Sequence, residues 1–179
     1  MSSRSFALKP FPADGRCPDI AITGAVARRP HTLSVSCAIT GPLSAIAVPE
    51  PGGVPGRKDR LWEETCLEFF LAAKNSGGYW EFNLSPSGHW NVYRFTAYRQ
   101  GMREEPAFTS LPFSIDIEPD SLRLSLELDM GSIIPGDQAL EVAVSAVIKT
   151  AEGSTTYWAL THPGPQPDFH RRDSFIIEL

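Results

Sequence analysis

Alternation of apolar and polar residues recurs along most of this chain, and it limits the possible folds more than any other feature. The clearest case in the first half is segment 31–40, in which Leu33, Val35, Cys37 and Ile39 occupy every second position. Successive side chains of a strand point to opposite faces, so a period of two residues indicates a strand with one buried face. No segment keeps the i, i+3, i+4, i+7 apolar pattern over the ~12 residues that a globular helix usually needs. The sequence therefore predicts an all-β protein.

Roughly ten short strands can be placed along the chain, with turn residues between them at intervals of roughly 8–12 residues. This spacing is typical of an antiparallel two-sheet β-sandwich. Segment 6–12 reads as an extended lead-in, and Gly24 is a candidate for a β-bulge. The predicted strands cover residues 20–26, 31–40, 43–48, 65–71, 79–84, 89–99, 113–117, 122–128, 140–150, 155–160 and 174–179.

Two neighbouring segments, 65–71 and 79–84, place polar residues among aromatic ones. Glu68 lies on one face of the first strand, while Glu81 and Asn83 share a face of the second. The intervening residues are rich in Gly, Ser and Asn, which predicts a turn that closes an antiparallel hairpin. The three polar side chains should therefore lie close together. Because a carboxylate costs free energy to bury without a partner, this mixture suggests a ligand-binding face.

Two irregular segments, 49–60 and 161–172, are rich in proline and glycine. The first leads directly into Trp62. Long loops without regular structure are uncommon inside compact domains and are often functional. Both segments enter or leave predicted sheet edges, so they are candidates to meet at one rim of the sandwich.

Composition fits one globular domain that spans residues 1–179. The chain is 42% hydrophobic, which suffices for a sizeable core. Its net charge of −5 and the lack of a Lys/Arg-rich run argue against nucleic acid as a partner. We find neither an apolar leader at the N-terminus nor the ~20 apolar residues of a membrane span, so we expect a soluble cytoplasmic protein with no membrane partner.

The cysteines Cys17, Cys37 and Cys66 are odd in number and widely spaced. This pattern supports neither a disulfide framework nor a CxxC metal site. Reduced thiols in a cytoplasm fit it best, and we predict no metal site from these residues.

Several segments resemble those of a known family. They are Leu61-Trp-Glu-Glu-Thr-Cys-Leu-Glu-Phe-Phe-Leu71, Tyr79-Trp-Glu-Phe-Asn-Leu-Ser-Pro-Ser-Gly88, 157–163 and 167–179. They resemble the stand-alone bacterial DOMON-like proteins, which are related to the family 9 carbohydrate-binding modules. The resemblance covers the chain from about residue 20 onward. It implies an immunoglobulin-like β-sandwich whose ligand is a sugar or a heme.

The resemblance also implies a binding site. In the sugar-binding relatives a tryptophan leads into a strand whose later glutamate accepts sugar hydroxyls, and Trp62 and Glu68 match these positions. Asn83 matches an asparagine of the next strand, whereas Glu81 replaces a basic residue. The relatives close the pocket with an aromatic residue from the loop before the last strand. The matching loop here offers Phe169 and His170.

Structural interpretations of the same residues stay open. Trp62 is as readily a plug between loop and sheet as a ligand contact. Glu68 and Glu81 are equally able to pair with Arg94 or Lys149 across a solvated sheet face. The aromatic residues of alternating strands usually pack inward, so we interpret Phe69, Trp80, Phe82 and Trp158 as core residues.

Other chemistries also stay open. Two neighbouring carboxyl groups, here Glu68 and Glu81, are what a glycan hydrolase requires. A heme would need axial ligands, and the available residues are Met102, Met130, His89, His162 and His170. His162, Asp168 and His170 have a spacing that a loop metal site tolerates.

We predict a non-catalytic protein that binds a carbohydrate or a sugar-bearing metabolite on a concave sheet face. An aromatic ring contacts the C–H groups of a sugar, and paired donors and acceptors bind its hydroxyls. We expect no cofactor, with heme as the alternative, and we leave the oligomeric state open. The predicted ligand contacts are Trp62, Glu68, Glu81, Asn83, Phe169 and His170.

Overall fold

A computed structural model describes residues 2–12 and 17–179, and the regular structure in these residues is almost entirely β. Within them there is no α-helix; three short 3-10 turns occur at Leu43–Ala45, Leu61–Glu63 and Arg172–Ser174. No helix in this part of the chain has the length and apolar character that crossing a membrane requires. The strands are β1 (Ser2–Ala7), β2 (Lys9–Pro10), β3 (Ala21–Arg28), β4 (Thr32–Thr40), β5 (Cys66–Ala73), β6 (Tyr79–Leu84), β7 (Trp90–Phe95), β8 (Arg103–Glu104), β9 (Phe113–Glu118), β10 (Ser121–Asp129), β11 (Leu140–Lys149), β12 (Thr155–Ala159) and β13 (Ile177–Glu178).

The strands form two antiparallel sheets. The smaller sheet has the order β1-β3-β4-β10-β9. The larger sheet has the order β2-β12-β11-β5-β6-β7-β8, and β13 pairs with β11. Strands β5, β6 and β7 follow one another as a meander, as the turn residues between them predict. The antiparallel two-sheet β-sandwich predicted from the sequence is thus confirmed.

The main core lies between the sheets. The alternating residues of β4 are buried there, with Leu33 and Ile39 fully inaccessible. From the larger sheet, Phe69 and Phe82 stack on each other with ring centroids 4.3 Å apart. Trp158 is buried in the same cluster and Trp80 packs against it. The interpretation of these aromatic residues as core residues is confirmed.

The larger sheet is buried on its outer face as well. Every residue of β5 from Cys66 to Ala72 is buried, so the predicted half-buried strand is wrong. A second cluster, which we call the outer core, forms because the segment before β13 folds over this face. Periodicity cannot reveal such a cover, since the covering segment is irregular. The outer core contains Phe70, Ala72, Tyr79, Tyr93, Phe95, Ala143 and Phe175, with Trp62 and Phe169 packed against it.

Two predicted strands are wrong in type or extent. Residues 43–48 form the 3-10 turn Leu43–Ala45 and a single bridge between Ile46 and Thr150. The last segment forms a 3-10 turn and then only Ile177–Glu178 as β13. Both lie beside proline-rich loops, where short apolar runs are ambiguous between strand and turn.

The predicted bulge at Gly24 is also wrong. Gly24 pairs in regular register with Phe6 on one side and Cys37 on the other. A Cβ atom at this position would lie 2.1 Å from the Ser36 main-chain oxygen and 2.5 Å from the Phe6 ring. The glycine is therefore required by the close approach of Phe6.

The N-terminal segment joins both sheets. Strand β1 pairs with β3 at the edge of the smaller sheet, and β2 pairs with β12 at the edge of the larger one. Between them the main-chain N–H of Leu8 donates to Ile22 O over 2.8 Å, and the Leu8 side chain is buried in the main core. The extended lead-in expected at 6–12 thus consists of these two strands.

Candidate functional site

A cavity of about 370 Å³ opens on the outer face of the larger sheet, beside the outer core. It lies where the turn Leu61–Glu63 and the segment 161–172 approach each other over the sheet. The first irregular segment, 49–60, leads into this turn but contributes no lining residue. Five of the six residues predicted as ligand contacts line it, and Asn83 does not. The lining residues are Trp62, Glu68, Glu81, Phe95, Arg99, Met102, Val147, Tyr157, Pro167, Phe169 and His170.

Glu68 and Glu81 form the floor of the cavity. They project from neighbouring strands: Glu68 lies opposite Asn83, and Glu81 lies two pairs further along, opposite Phe70. Their side chains share the outer face because two residues along a strand return to the same side. Glu68 is only 4% exposed and Glu81 only 5%. The predicted proximity of Glu68, Glu81 and Asn83 is confirmed.

Asn83 lies beside the two acids on the same sheet face, opposite Glu68, and is fully buried. Its Nδ2 donates to Glu81 Oε1 over 2.9 Å, and the Cys66 Sγ lies 3.8 Å from its Oδ1. In this position the amide orients the Glu81 carboxyl group. Asn83 therefore acts on the cavity through Glu81.

Burial controls the protonation of the two acids. It raises the pKa of Glu81 to about 7. Burial, and secondarily the neighbouring Glu81, raise the pKa of Glu68 well above the usual value of 4.5. Two carboxyl groups this close to each other disfavour double ionisation. Near neutral pH the pair therefore holds at least one proton.

His170 closes one side of the cavity above Glu81. The Tyr79 hydroxyl oxygen accepts from the main-chain N–H of Arg99 over 3.1 Å, and it lies 2.9 Å from His170 Nδ1. We assign the Tyr79 hydroxyl as the donor to Nδ1, and in this tautomer the imidazole carries its own proton on Nε2. That Nε2 lies 3.8 Å from Glu81 Oε2. Burial, with a contribution from Arg99, lowers the pKa of His170 to about 4, which leaves the ring neutral at pH 7.

Trp62 stands on the 3-10 turn at the end of the first irregular segment. It is half-buried and contacts Tyr93 edge to face at 5.8 Å, while another part of the indole lines the cavity. Trp62 thus packs against the sheet and is also accessible to a ligand. The position of Trp62 is therefore compatible with both interpretations made from the sequence, a plug between loop and sheet and a ligand contact.

Arg57 fixes the segment that leads to Trp62. Its guanidinium group lies 4.6 Å from the centre of the Trp90 ring and donates to Asn91 Oδ1 over 2.6 Å. It also donates to the main-chain oxygens of Glu105 and Phe108. Two residues further on, Asp59 accepts from the Tyr93 hydroxyl over 2.5 Å. These anchors explain how a proline-rich loop places an indole ring reproducibly.

Asp168 fixes the opposite lip. Its Oδ1 accepts from Arg99 over 2.9 Å and from the main-chain N–H of His170 over 3.1 Å, and its Oδ2 accepts from the Tyr98 hydroxyl. The segment 161–172 is thereby attached to the turn between β7 and β8. Phe169, the residue between Asp168 and His170, contacts Tyr157 edge to face at 6.1 Å.

The alternative pairings of the two acids do not occur. Arg94 lies over the Trp80 ring at 5.5 Å, and Lys149 pairs with Glu64 over 2.9 Å. In residues 2–12 and 17–179, neither Glu68 nor Glu81 lies within 4.0 Å of a lysine or arginine nitrogen. The hypothesis of a solvated salt-bridged face is wrong, because this face is covered.

The metal and heme ligand sets considered from the sequence are dispersed. His162 binds the main-chain oxygen of Lys9 and contacts Phe11, while His170 binds Tyr79. The described residues contain no group of three or more His, Cys, Asp or Glu side chains able to hold a metal ion. Of the heme candidates, Met102 and His170 line the cavity, whereas Met130 is buried in the main core.

Sequence reasoning missed several residues of the site. Tyr79 binds His170 without lining the cavity, and it was detectable because alternation places it on the same face as Glu81. Arg99 was not, since it lies in a turn with a positive φ of 52° and belongs to no motif. Met102 and Tyr157 carry no signal of their own, because their place at the cavity depends on how the loops fold over the sheet.

Neither a protein-family model nor a curated protein sequence matches the chain. Solved structures do match. A candidate carbohydrate-binding protein from Bacteroides uniformis has a TM-score of 0.60 at 14% identity, over 93% of this chain and 83% of that one. A family 9 carbohydrate-binding module from Caldicellulosiruptor kristjanssonii solved with cellotriose has a TM-score of 0.47 at 9% identity, over 80% and 67% of the two chains. A structure of such a module solved with glucose has a TM-score of 0.49 at 10% identity, over 80% and 68%. The first of these similarities shows that this chain and the Bacteroides uniformis protein share a fold.

Proposed function

We propose that the protein binds a small carbohydrate in the cavity of the larger sheet and does not chemically convert it. One observation carries the proposal: an accessible indole and two buried carboxyl groups line a single cavity whose other walls are largely aromatic. Ligand sites of about 300–1,000 Å³ with apolar walls and few polar groups are typical for small molecules. The cavity lies at the lower end of that range, which suits a ligand of one or two sugar rings.

The polar groups offer both kinds of hydrogen bond that sugar hydroxyls need. A protonated Glu68 donates, and an ionised Glu81 accepts. The Nε2–H of His170 is a further donor at the rim. The rings of Trp62 and Phe169 present apolar faces for the C–H groups of a pyranose. This combination supports a sugar over a purely apolar ligand.

The same pair of acids is what a glycan hydrolase requires, with one carboxyl group protonated as acid and the other ionised as base or nucleophile. Here Glu68 holds the proton more strongly than Glu81, which accepts from Asn83. The aromatic walls of the cavity and the fold shared with a candidate carbohydrate-binding protein favour binding over hydrolysis. We therefore assign both acids to binding.

Fold similarity and sequence support the same proposal. The Bacteroides uniformis protein, which shares the fold, is itself a candidate carbohydrate-binding protein. We include in the proposal a relation to the stand-alone bacterial DOMON-like proteins, on the basis of segments 61–71 and 79–88. We also include a cytoplasmic location, since the three cysteines are unpaired thiols.

The test is a thermal-shift screen of the purified protein against mono- and disaccharides, nucleotide sugars and hemin. A ligand present at about 100 times its Kd adds about 2.7 kcal/mol to the free energy of unfolding. We expect a sugar to raise the melting temperature and Trp62→Ala to abolish the shift. Trp80→Ala is the matched control, because Trp80 lies on the opposite face of the same sheet.

Other outcomes would contradict the proposal in distinct ways. No shift with any sugar would exclude sugar binding by the cavity. Turnover of a glycan that disappears in Glu68→Gln would show an enzyme. A Soret band after addition of hemin, with no sugar response, would favour the heme alternative.

A further inference from the structure

The cavity floor holds acidic groups without a matching cation. Glu68 and Glu81 are both more than nine-tenths buried, and each would carry a charge if ionised. A buried carboxylate is normally paired with a cation or with several hydrogen bonds, because removing it from water is costly. Glu81 accepts from Asn83, but its other oxygen faces the neutral His170 at 3.8 Å.

Glu68 is less well hydrogen-bonded than Glu81. Its carboxyl group lines the cavity, and its one polar side-chain neighbour that favours the ionised form is the hydroxyl of Ser145, directly opposite on β11. That buried hydroxyl has no well-formed hydrogen bond among the described residues. Buried polar groups are satisfied in the great majority of cases, and a carboxyl group has about four acceptor sites. The acceptor sites of Glu68 that face the cavity are therefore available to a donor from a ligand.

The basic groups nearby do not supply this donor. Arg99 lines the cavity, but it pairs with Asp168 over 2.9 Å and its side chain is 52% exposed. The imidazole of His170 is neutral at pH 7, since its pKa is lowered to about 4. Arg94 and Lys149 are engaged elsewhere. The cavity floor is therefore acidic, and none of these four basic side chains pairs with its carboxyl groups as a cation.

The walls of the cavity, like its acidic floor, favour a ligand that carries a positive charge. Trp62, Phe95, Tyr157 and Phe169 present aromatic rings to the cavity. The face of an aromatic ring attracts a cation, and this attraction is stronger where water is excluded. An aromatic wall above an acidic floor therefore suits a ligand that combines an apolar ring surface with a positive charge.

We propose that the bound carbohydrate is an amino sugar, and that its ammonium group binds at the cavity floor between the carboxyl groups of Glu68 and Glu81. This inference rests on the function proposed above and specifies the ligand class of the same site. An ammonium group has three N–H donors, no acceptor and a positive charge, which matches two buried carboxyl groups that no described lysine or arginine nitrogen approaches within 4.0 Å. A neutral sugar can satisfy the oxygens but leaves the floor without a counter-charge.

Binding of a cation has a measurable consequence for protons. The floor holds at least one proton near neutral pH, because burial raises the pKa of both acids. An ammonium group next to them favours their ionised forms and displaces this proton into solvent. A neutral sugar leaves the charge of the floor unchanged and displaces little.

The experiment is isothermal titration calorimetry of the full chain with matched sugar pairs: glucosamine against glucose, galactosamine against galactose, and mannosamine against mannose. Titrations at about pH 6.5 are run in buffers of different ionisation enthalpy, so that proton release is counted. We expect one amino sugar to bind about tenfold or more tightly than its neutral parent, with proton release. Glu68→Gln and Glu81→Gln should each reduce this preference, and Glu127→Gln, an exposed glutamate on the smaller sheet, should preserve it.

The outcomes separate the two proposals. Equal affinity for an amino sugar and its parent, without proton release, would overturn the amino-sugar inference and leave carbohydrate binding intact. Ethanolamine binding as tightly as the amino sugars would support the ammonium site but overturn carbohydrate binding. No binding by any member of the pairs would overturn the amino-sugar inference, and no response to any sugar of the thermal-shift screen as well would overturn carbohydrate binding.

Discussion

Glu68 and Glu81 are the same type of residue on neighbouring strands, but the groups around them favour ionisation of Glu81 more than ionisation of Glu68. Glu81 accepts from Asn83, and Arg99 contributes attraction to its ionised form. The ionised form of Glu68 is favoured only by the Ser145 hydroxyl, and it is opposed by stronger burial and by the neighbouring Glu81. The last proton of the pair is therefore held at Glu68. At neutral pH the protonated Glu68 can thus donate a hydrogen bond, while Glu81 accepts one, although the two side chains are chemically identical.

The first prediction concerns stability against pH. The pKa of Glu81 is raised from 4.5 to about 7 on folding, so its contribution to stability is fully present below about pH 4.5 and is lost as the pH rises through 7. Glu81→Gln keeps the acceptor for Asn83 but cannot ionise. We expect the variant to gain up to about 3 kcal/mol relative to the wild type between pH 4.5 and 8. Urea unfolding of both proteins at several pH values measures the difference.

Two comparisons make this result specific. His170 acts in the opposite direction, because its lowered pKa adds stability as the pH rises, but it is present in both proteins. Glu127→Gln removes an exposed carboxyl group and controls for the change in net charge. If the difference in free energy of unfolding between Glu81→Gln and wild type stays constant with pH, the raised pKa of Glu81 is contradicted.

For single residues, the sequence predicted which polar side chains lie close together but not which of them line the cavity. Alternation on two strands and a turn between them suffice to bring Glu68, Glu81 and Asn83 together, and the register confirms it. Whether each side chain can contact a ligand depends on which other residues cover it, which alternation does not encode. Asn83 is fully buried on the same face and does not line the cavity, while Arg99 reaches it from a turn that carries no pattern.

Each of the two loops that form the cavity is fixed by one charged side chain. Arg57 binds three oxygens and a tryptophan ring below the first loop. Asp168 binds Arg99, Tyr98 and a main-chain N–H in the second. Charge-assisted hydrogen bonds such as these are stronger than neutral ones. The hydrogen bonds of Arg57 and Asp168 thus hold the two irregular segments in position, although these segments contain little regular secondary structure.

The second prediction tests the anchor of the second loop. Asp168→Ala removes the bonds that attach segment 161–172 to the turn between β7 and β8, so Phe169 and His170 should lose their fixed positions. We expect about tenfold weaker sugar binding and faster hydrogen exchange in 161–172. Exchange followed by mass spectrometry and titration of the sugar identified in the screen measure both.

A nearby acid provides the control for Asp168. Asp173 is exposed, directly follows the segment and pairs with its Arg171, so Asp173→Ala should change neither exchange nor affinity appreciably. Equal effects of the two substitutions would show that Asp168 has no special role as an anchor.

Elements with strong alternation were predictable, and covered or short ones were not. Strands β4 and β10 follow their pattern residue by residue. Residues 43–48 have the same apolar character, yet Pro42 and the 3-10 turn replace a strand. In β5 the pattern failed for another reason, because an irregular segment buries the face that alternation assigns to solvent.

The whole molecule is a larger sheet between two apolar clusters of unequal size. The main core joins both sheets, whereas the outer core joins the larger sheet to the segment that closes the cavity. Global stability depends chiefly on the first, because it buries most of the apolar side chains. The second links the ligand site to the rest of the fold.

The third prediction concerns the main core. Phe82 is fully buried, stacks on Phe69 and contacts Phe108 edge to face. Phe82→Ala should lower the free energy of unfolding by about 3–5 kcal/mol, since it leaves a cavity between the sheets. Ile176→Ala, at an exposed position, should change it by less than about 0.5 kcal/mol. Chemical denaturation compares the two, and similar losses would contradict the assigned core.

The N-terminal segment has a consequence for association between copies. Because β1 closes one edge of the smaller sheet and β2 one edge of the larger, detachment of residues 2–10 uncovers the backbone donors and acceptors of β3 and β12 together. The same segment of a second molecule fits both vacancies, and reciprocal exchange restores every hydrogen bond in an intertwined dimer. The strand pair that completes the monomer is thus also a route to domain swapping.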